Sequence, residues 1–175
     1  MTHDSVRLFI ALWPGPAVRE ALAQWRDGVA WPASASPVRT EQLHVTLHFL
    51  GSVALADIPK LAHGLDVPFD PFQLEFGQRE VWHGGIAVLA PEVVPAPLLA
   101  LHASLGAALE RLGIAPEARP YRPHVTLARR SGPLNEANRG PPIRWQVDGY
   151  ALMRSKVGNG AEYGVVQAFG GAAAR

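Results

Sequence analysis

The sequence predicts an α+β fold built from two related halves. Three observations lead there. The apolar pattern reads strand, helix, strand, helix, strands, helix, strands; helical stretches fall in both halves; and each half carries one copy of the tetrapeptide His-Val-Thr-Leu. At 175 residues, 48% of them apolar and with five Trp, six Phe and three Tyr, the chain can form one sizeable core or two small lobes sharing an interface. It reads as a single domain over 1–175.

Residues 6–12 give a short apolar strand. Pro14 or Pro16 starts an amphipathic helix, because proline at the first helical position sacrifices no hydrogen bond, and Ala17, Ala21, Leu22 and Trp25 recur on its inward side. The Pro/Ser/Ala-rich stretch 31–38 reads as a loop. A strand over 43–50 stops at Gly51, and a second helix covers 55–65. Strand material at 72–76 and 81–89 is interrupted by Gly77 and by Gly84-Gly85. The helix over 95–112 aligns Leu98, Leu101, His102, Leu105, Leu109 and Leu112 on one side and ends at Gly113. A loop at 114–122 leads into a strand at 124–129, followed by a polar, Gly/Pro-containing loop at 131–142. Residues 143–153, apolar around Gly149, give one bent strand or two. Gly158-Asn159-Gly160 is a hairpin connection, 163–169 gives the last strand, and 170–175 is a frayed tail.

Composition excludes several classes of chemistry. Without cysteine there is no disulfide framework, no thiolate zinc site and no cysteine nucleophile. The apolar run 8–13 is shorter than a signal-peptide core and far shorter than a membrane span, so a soluble cytoplasmic protein is expected. The net charge of +1 hides an uneven distribution: residues 119–156 are strongly basic, mostly through arginine, whereas 57–80 is acidic. A basic second half is either a solvated face or the surroundings of an anionic ligand.

The repeated tetrapeptide carries most of the chemical information. In His44-Val45-Thr46-Leu47 and His124-Val125-Thr126-Leu127, the period of two puts each His and its Thr on one strand face and turns Val and Leu toward the core. If the halves are related by an approximate twofold axis, both polar pairs converge on one ligand. Two imidazoles divide proton transfer, the neutral ring accepting a proton from water and the charged ring donating one to a leaving oxygen. Threonine hydroxyls donate to phosphoryl oxygens while imidazolium and arginine offset the charge that builds during attack. Hydrolysis of a phosphodiester needs that division and no metal or other cofactor.

These residues resemble the two-histidine phosphoesterase superfamily, and within it the bacterial and archaeal RNA 2′,3′-cyclic phosphodiesterases also called 2′-5′ RNA ligases. The resemblance runs from Arg7-Leu8-Phe9-Ile10-Ala11-Leu12 through Leu43-His44-Val45-Thr46-Leu47-His48-Phe49-Leu50-Gly51 to Tyr121-Arg122-Pro123-His124-Val125-Thr126-Leu127-Ala128-Arg129, and on through Leu152, Ser155 and Tyr163. It implies two lobes, each an antiparallel-rich sheet backed by helices, with pseudo-twofold symmetry around a central cleft. It also implies opening of a terminal RNA 2′,3′-cyclic phosphate to a 2′-phosphate, and, for some members, reversible joining of tRNA halves through a 2′-5′ bond without a nucleotide cofactor. By the same resemblance His44 is the general acid toward the 3′-oxygen and His124 the general base toward water, although a symmetric motif pair does not itself fix that direction. Thr46 and Thr126 are then phosphate ligands, and Arg129, Tyr121, Ser155 and Tyr163 are candidate substrate contacts. Simple alternation places Arg129 opposite His124, so it reaches the cleft only where the strand ends or twists.

Other residues read as structural. His48 cannot chelate with His44, since four residues of strand separate them by about 13 Å; it is expected at the cleft rim. His102 packs on a helix, and His3, His63 and His83 have no constellation. Phe9, Phe49, Trp145 and Phe169 fit strand cores; Tyr121 either packs in the core or a loop or stacks on a base at the cleft mouth; Trp31 and Trp82 sit near loops that could border the ligand path, with nothing in the sequence to position them. Ser155 lacks a nucleophile elbow and supports neighbouring groups instead. The competing functions are a phosphoesterase acting on another cyclic nucleotide or a 2′-5′ linked oligonucleotide, and a non-catalytic RNA-end binder. The expected state is a monomer, with no membrane association.

Overall fold

A computed structural model describes residues 4–134, 139–156 and 162–171. The predicted hairpin connection Gly158-Asn159-Gly160, His3 and most of the expected tail lie outside these residues; Gly170 ends the last strand rather than fraying. β1 (Ser5–Leu12) is buried along most of its length because both its faces are covered: Leu8, Ile10 and Leu12 join the main core, and Phe9 and Ala11 pack with Ala151 and Met153 on the other side. α1 (Pro16–Asp27) starts at the second of the two candidate prolines and stops at Gly28. β2 (Ser36–Pro37) is a two-residue strand inside the expected loop. β3 (Val45–Ala54) follows, and the second expected helix begins as a 3₁₀ turn over Leu55–Asp57 before α2 (Ile58–Gly64).

β4 (Phe72–Trp82) runs unbroken through Gly77, where the expected interruption is only a register shift, and Gly84 and Gly85, both at positive φ, turn the chain into β5 (Ile86–Pro91). α3 (Ala96–Arg111) buries Leu98, Leu101, Leu105 and Leu109. After β6 (Val125–Arg129), β7 (Arg139–Val147) starts four residues earlier than its apolar pattern suggests. Pro141 and Pro142 are tolerated there because β7 lies at the edge of the sheet, where a missing N–H breaks no interior ladder. Asp148 separates it from β8 (Gly149–Lys156), so the apolar stretch is two strands in different halves, and β9 (Glu162–Gly170) completes the chain.

All the strand pairs are antiparallel, in the order β7-β4-β5-β6-β3-β1-β8-β9, with β2 alongside β6. The two predicted sheets are the two halves of this order, and they join through one register pair, Val45 opposite Val125. Those valines are equivalent residues of the two tetrapeptides, so the approximate twofold axis passes between them. Reading outward, β3-β1-β8-β9 matches β6-β5-β4-β7. The helices cross over: α1 packs on β7 of the far half, where the Trp25 indole donates to the Pro141 carbonyl at 3.0 Å, and α3 packs on β3. Among the described residues no helix is long and apolar enough to cross a membrane.

One buried hydroxyl ties the loop after α2 to this frame. Tyr150 is 1% exposed, and its hydroxyl accepts from the Val67 N–H at 2.9 Å and donates to the Leu65 carbonyl at 2.7 Å. Burial pushes its pKa up to about 12. Tyr150→Phe keeps the ring but strands both backbone groups, so it is expected to cost about 1–3 kcal/mol. A lower denaturant midpoint at unchanged slope is the signature; an unchanged midpoint rules the account out.

Candidate active site

His44 and His124 each stand one residue ahead of their strand, and each is fixed by the same local bond. Nδ1 of His44 donates to the Gln42 carbonyl at 2.5 Å, and Nδ1 of His124 to the Arg122 carbonyl at 2.7 Å. A carbonyl only accepts, so Nδ1 carries the proton in both rings and Nε2 of the neutral imidazole is the basic atom. In His44 that atom lies 3.0 Å from the Thr46 hydroxyl, which donates to it while the ring is neutral.

The Val45–Val125 pairing brings the two motifs together. In an antiparallel pair, the residues flanking an opposed couple point to the other sheet face, so His44, Thr46, His124 and Thr126 all project from one face while the valines are fully buried beneath. A cavity of 620 Å³ opens there, lined by all four and by Arg129, Ser155 and Tyr163. Seven of the eight residues nominated from sequence therefore share one cleft. The eighth, Tyr121, borders an adjoining cavity of 390 Å³ together with Thr46 and His124.

Two β-bulges decide what else reaches the cleft. Ala11 and Ile10 of β1 face Thr46 and His48, leaving Leu47 as an extra residue; Val88 and Ala87 of β5 face Thr126 and Ala128, leaving Leu127 extra. The leucine of each tetrapeptide is thus the bulged residue, and each bulge reverses the alternation that follows. In the second half this brings Arg129 onto the cleft, against simple alternation. In the first half it exchanges the expected places of His48 and Phe49. His48, predicted at the rim, is 4% exposed and donates from Nε2 to the His102 carbonyl at 2.8 Å; Phe49, predicted in the core, is 56% exposed and lines both cavities. Phe49 and Arg129 are twofold counterparts, each five residues after its motif histidine.

Aromatic rings and two arginines set the local environment. The His44 ring packs among Phe9, Trp13 and Tyr163 at centroid separations of 5.2, 5.8 and 5.5 Å. Arg19, which sequence reasoning missed because only tertiary packing gives it a role, donates to the carbonyls of Pro14, Thr40 and Leu43 and so fixes the segment leading into His44. The His124 ring lies 4.4 Å from Trp82, whose ring is capped by the Arg122 guanidinium at 4.0 Å and whose indole donates to Glu80 at 2.7 Å. Of the two readings of Tyr121, packing describes its contacts. Its ring stacks on His102 at 3.9 Å and its hydroxyl donates to the Thr46 carbonyl at 3.0 Å, tying the approach to the second motif to the first.

Burial dominates the proton affinities of both histidines. Desolvation pulls His44 down to about 4, with Arg19, His124 and Arg129 adding to the effect against the opposing Gln42 bond. His124 is also lowered, by burial first and then by Arg122 and Arg129. Because His44 takes up protons more readily when unfolded, at about 6.5, its contribution to stability is complete above that value and drains away as pH falls toward 4. Between pH 7 and 4 the native chain is expected to lose roughly 2–3 kcal/mol more than His44→Gln, measured by urea melts at each pH. Parallel curves for the two proteins refute this.

A family description reading "2'-5' RNA ligase superfamily" matches residues 14–159. The chain is 32% identical to an RNA 2′,3′-cyclic phosphodiesterase of Thermus thermophilus, over 94% of this chain and 89% of the relative. It is 30% identical to the Escherichia coli protein of the same name, over 70% and 71% respectively. The crystal structure of E. coli LigT complexed with 3′-AMP superposes with a TM-score of 0.86 at 25% identity, covering 95% of this chain and 98% of that one. A match of that extent, falling on a chain whose two His-Val-Thr-Leu strands meet across one cleft, makes the protein a member of the 2′-5′ RNA ligase superfamily.

Proposed function

We propose that the chain hydrolyses the 2′,3′-cyclic phosphate at the 3′ end of RNA, leaving a 2′-phosphate; the two relatives above bear the name RNA 2′,3′-cyclic phosphodiesterase. The observation that carries this is the Val45–Val125 register, which sets two oriented imidazoles and two hydroxyls on one cleft face. In the reaction, His124 Nε2 takes a proton from water as its oxygen bonds to phosphorus. The P–O3′ bond breaks, and His44 Nε2–H protonates the departing O3′. Thr46 and Thr126 donate to the non-bridging oxygens, and Arg129, whose charge acts on both imidazoles, offsets the negative charge of the transition state.

His44, the proton donor in this scheme, is the ring whose pKa burial lowers to about 4. The phosphate supplies the correction: its negative charge favours imidazolium. With an RNA 5′-hydroxyl in place of water the same groups form a 2′-5′ phosphodiester, and tRNA halves fit that reaction. The reading extends to a monomer, supported by both motifs of the cleft coming from one chain, and to a cytoplasmic location. The test presents purified protein, in chelator, with short RNAs ending in 2′,3′-cyclic phosphate, 3′-phosphate or hydroxyl, and locates the product phosphate. Turnover of the cyclic end alone to a 2′-phosphate is expected. No turnover, or a 3′-phosphate product, overturns the assignment.

A further inference from the structure

The two motif histidines follow chain segments that are held in different ways. His44 comes after a 3₁₀ turn, Thr40–Gln42, and the Arg19 guanidinium pins that approach through the Thr40 and Leu43 carbonyls. His124 comes after residues 114–123, which form neither helix nor strand; among the described residues none of 115–122 joins a hydrogen bond between backbone groups. A closed circuit of side chains holds this second approach instead. From β3, the buried His48 donates to the His102 carbonyl on α3 and stacks on the His102 ring at 4.0 Å and 14°. The Tyr121 ring lies against His102 at 3.9 Å and 11°. Two near-parallel rings at such distances occupy opposite faces of the third, so His102 is the middle of one stack. The circuit closes where the Tyr121 hydroxyl returns to β3 and donates to the Thr46 carbonyl at 3.0 Å, two residues before His48. Burial, helped by His48, lowers His102 to about 4, so the middle ring is uncharged at neutral pH. Burial also pushes the Tyr121 phenol up, so its hydroxyl keeps the proton that it donates.

Tyr121 stands three residues before His124 in the run Pro120-Tyr121-Arg122-Pro123-His124, and that run is stiff. Pro123 has a fixed φ and restricts the backbone of Arg122 before it, and Pro120 does the same on the other side of Tyr121. The Arg122 carbonyl in turn accepts the Nδ1 proton of His124 at 2.7 Å. A shift of Tyr121 is therefore handed on to the imidazole rather than absorbed by the chain between them. We propose that Tyr121, seated on His102, is a positioning residue that sets His124 against Thr46 and so fixes the general base relative to a ligand of the phosphate. The inference rests on the two-histidine hydrolysis given above. His102 and His48 transfer no proton in it; they are the platform. The two halves thus solve one problem with different parts, since Arg19 holds the approach to His44 from a helix and Tyr121 holds the approach to His124 from within the approach itself.

The test removes the hydroxyl alone. Tyr121→Phe keeps the stack and is expected to lower kcat on a short RNA ending in a 2′,3′-cyclic phosphate by on the order of 10-fold at nearly unchanged KM; a full misplacement of about 1 Å costs on the order of 10²-fold. In a His124→Ala background the same change is expected to have no further effect on the residual rate, since no base is left to place. His102→Ala removes the platform but not the hydroxyl, and is expected to lower kcat in the same way. Tyr150→Phe is the control: it deletes a buried hydroxyl bonded to backbone outside the cleft, and should lose stability while keeping kcat. Native kcat in folded Tyr121→Phe overturns the proposal, whether or not its melting temperature falls. So does a loss confined to KM, or an equal loss in the native and His124→Ala backgrounds, because the hydroxyl would then act on something other than the base. Each of those results leaves the cyclic-phosphate reading standing. Absence of turnover in the native protein overturns both.

Discussion

His44→Ala and His124→Ala are each expected to lower kcat for cyclic-phosphate hydrolysis by on the order of 10²–10⁴-fold, the usual worth of a positioned proton transfer, with KM changed little. Circular dichroism should report an intact fold for both. The double variant should lose less than the product of the single losses, since removing one ring already disables the coupled transfer. The pH dependence gives an independent check. One ring must be neutral and the other charged, so kcat/KM follows a bell whose limbs belong to the coupled pair in the free protein. Burial lowers both histidines, His44 to about 4, so that bell should centre below pH 6.5. Bound phosphate raises both affinities again, so the kcat bell should lie at higher pH than the kcat/KM bell. A folded alanine variant with near-native kcat, or coincident bells, removes the mechanism.

Thr126→Val and Thr46→Val should have the next largest effects. Valine keeps the shape and the β-branched strand preference but cannot donate to a phosphoryl oxygen, and loss of one such donor costs on the order of 10²-fold in kcat. The two should differ in a second respect. The Thr46 hydroxyl also bonds Nε2 of His44 at 3.0 Å, so Thr46→Val additionally displaces the acid limb of the kcat/KM profile, whereas Thr126→Val lowers the rate at a nearly fixed profile. Equal profiles, or a loss confined to KM, would show that the hydroxyls bind the ground state without serving the transition state.

Periodicity was enough to locate the helices, the paired motifs and every described strand but the two-residue β2, because each is a local pattern spanning several residues. What it could not show depends on partners distant in sequence. The extra residue at Leu47 and at Leu127 leaves no mark in composition, since a bulge is defined by the register of the neighbouring strand. That one omission accounts for the inverted expectations at His48 and Phe49 and for the parity problem at Arg129. The early start of β7 was hidden by Pro141 and Pro142, which break a central strand but not an edge one. Arg19 reads in isolation as a polar residue on the outside of a helix; its three carbonyl partners become visible only when α1 lies beside the turn before His44.

The crossed helices have a consequence for cooperativity. One half of the sheet is a contiguous insert, β4 to β7, and the other is assembled from the two ends of the chain, yet each half is covered by a helix that follows a strand of its opposite. Melting either half therefore uncovers apolar surface on both, and the free energies of the two cannot be drawn on separately. Global unfolding should be a single two-state event, and subglobal opening that parts the two histidines should cost nearly as much as unfolding itself. Amide protons at Val45 and Val125, where the halves meet, belong with the slowest to exchange in the molecule. A cleft held in this way keeps its catalytic spacing in the absence of substrate, so little binding energy is diverted to assembling it.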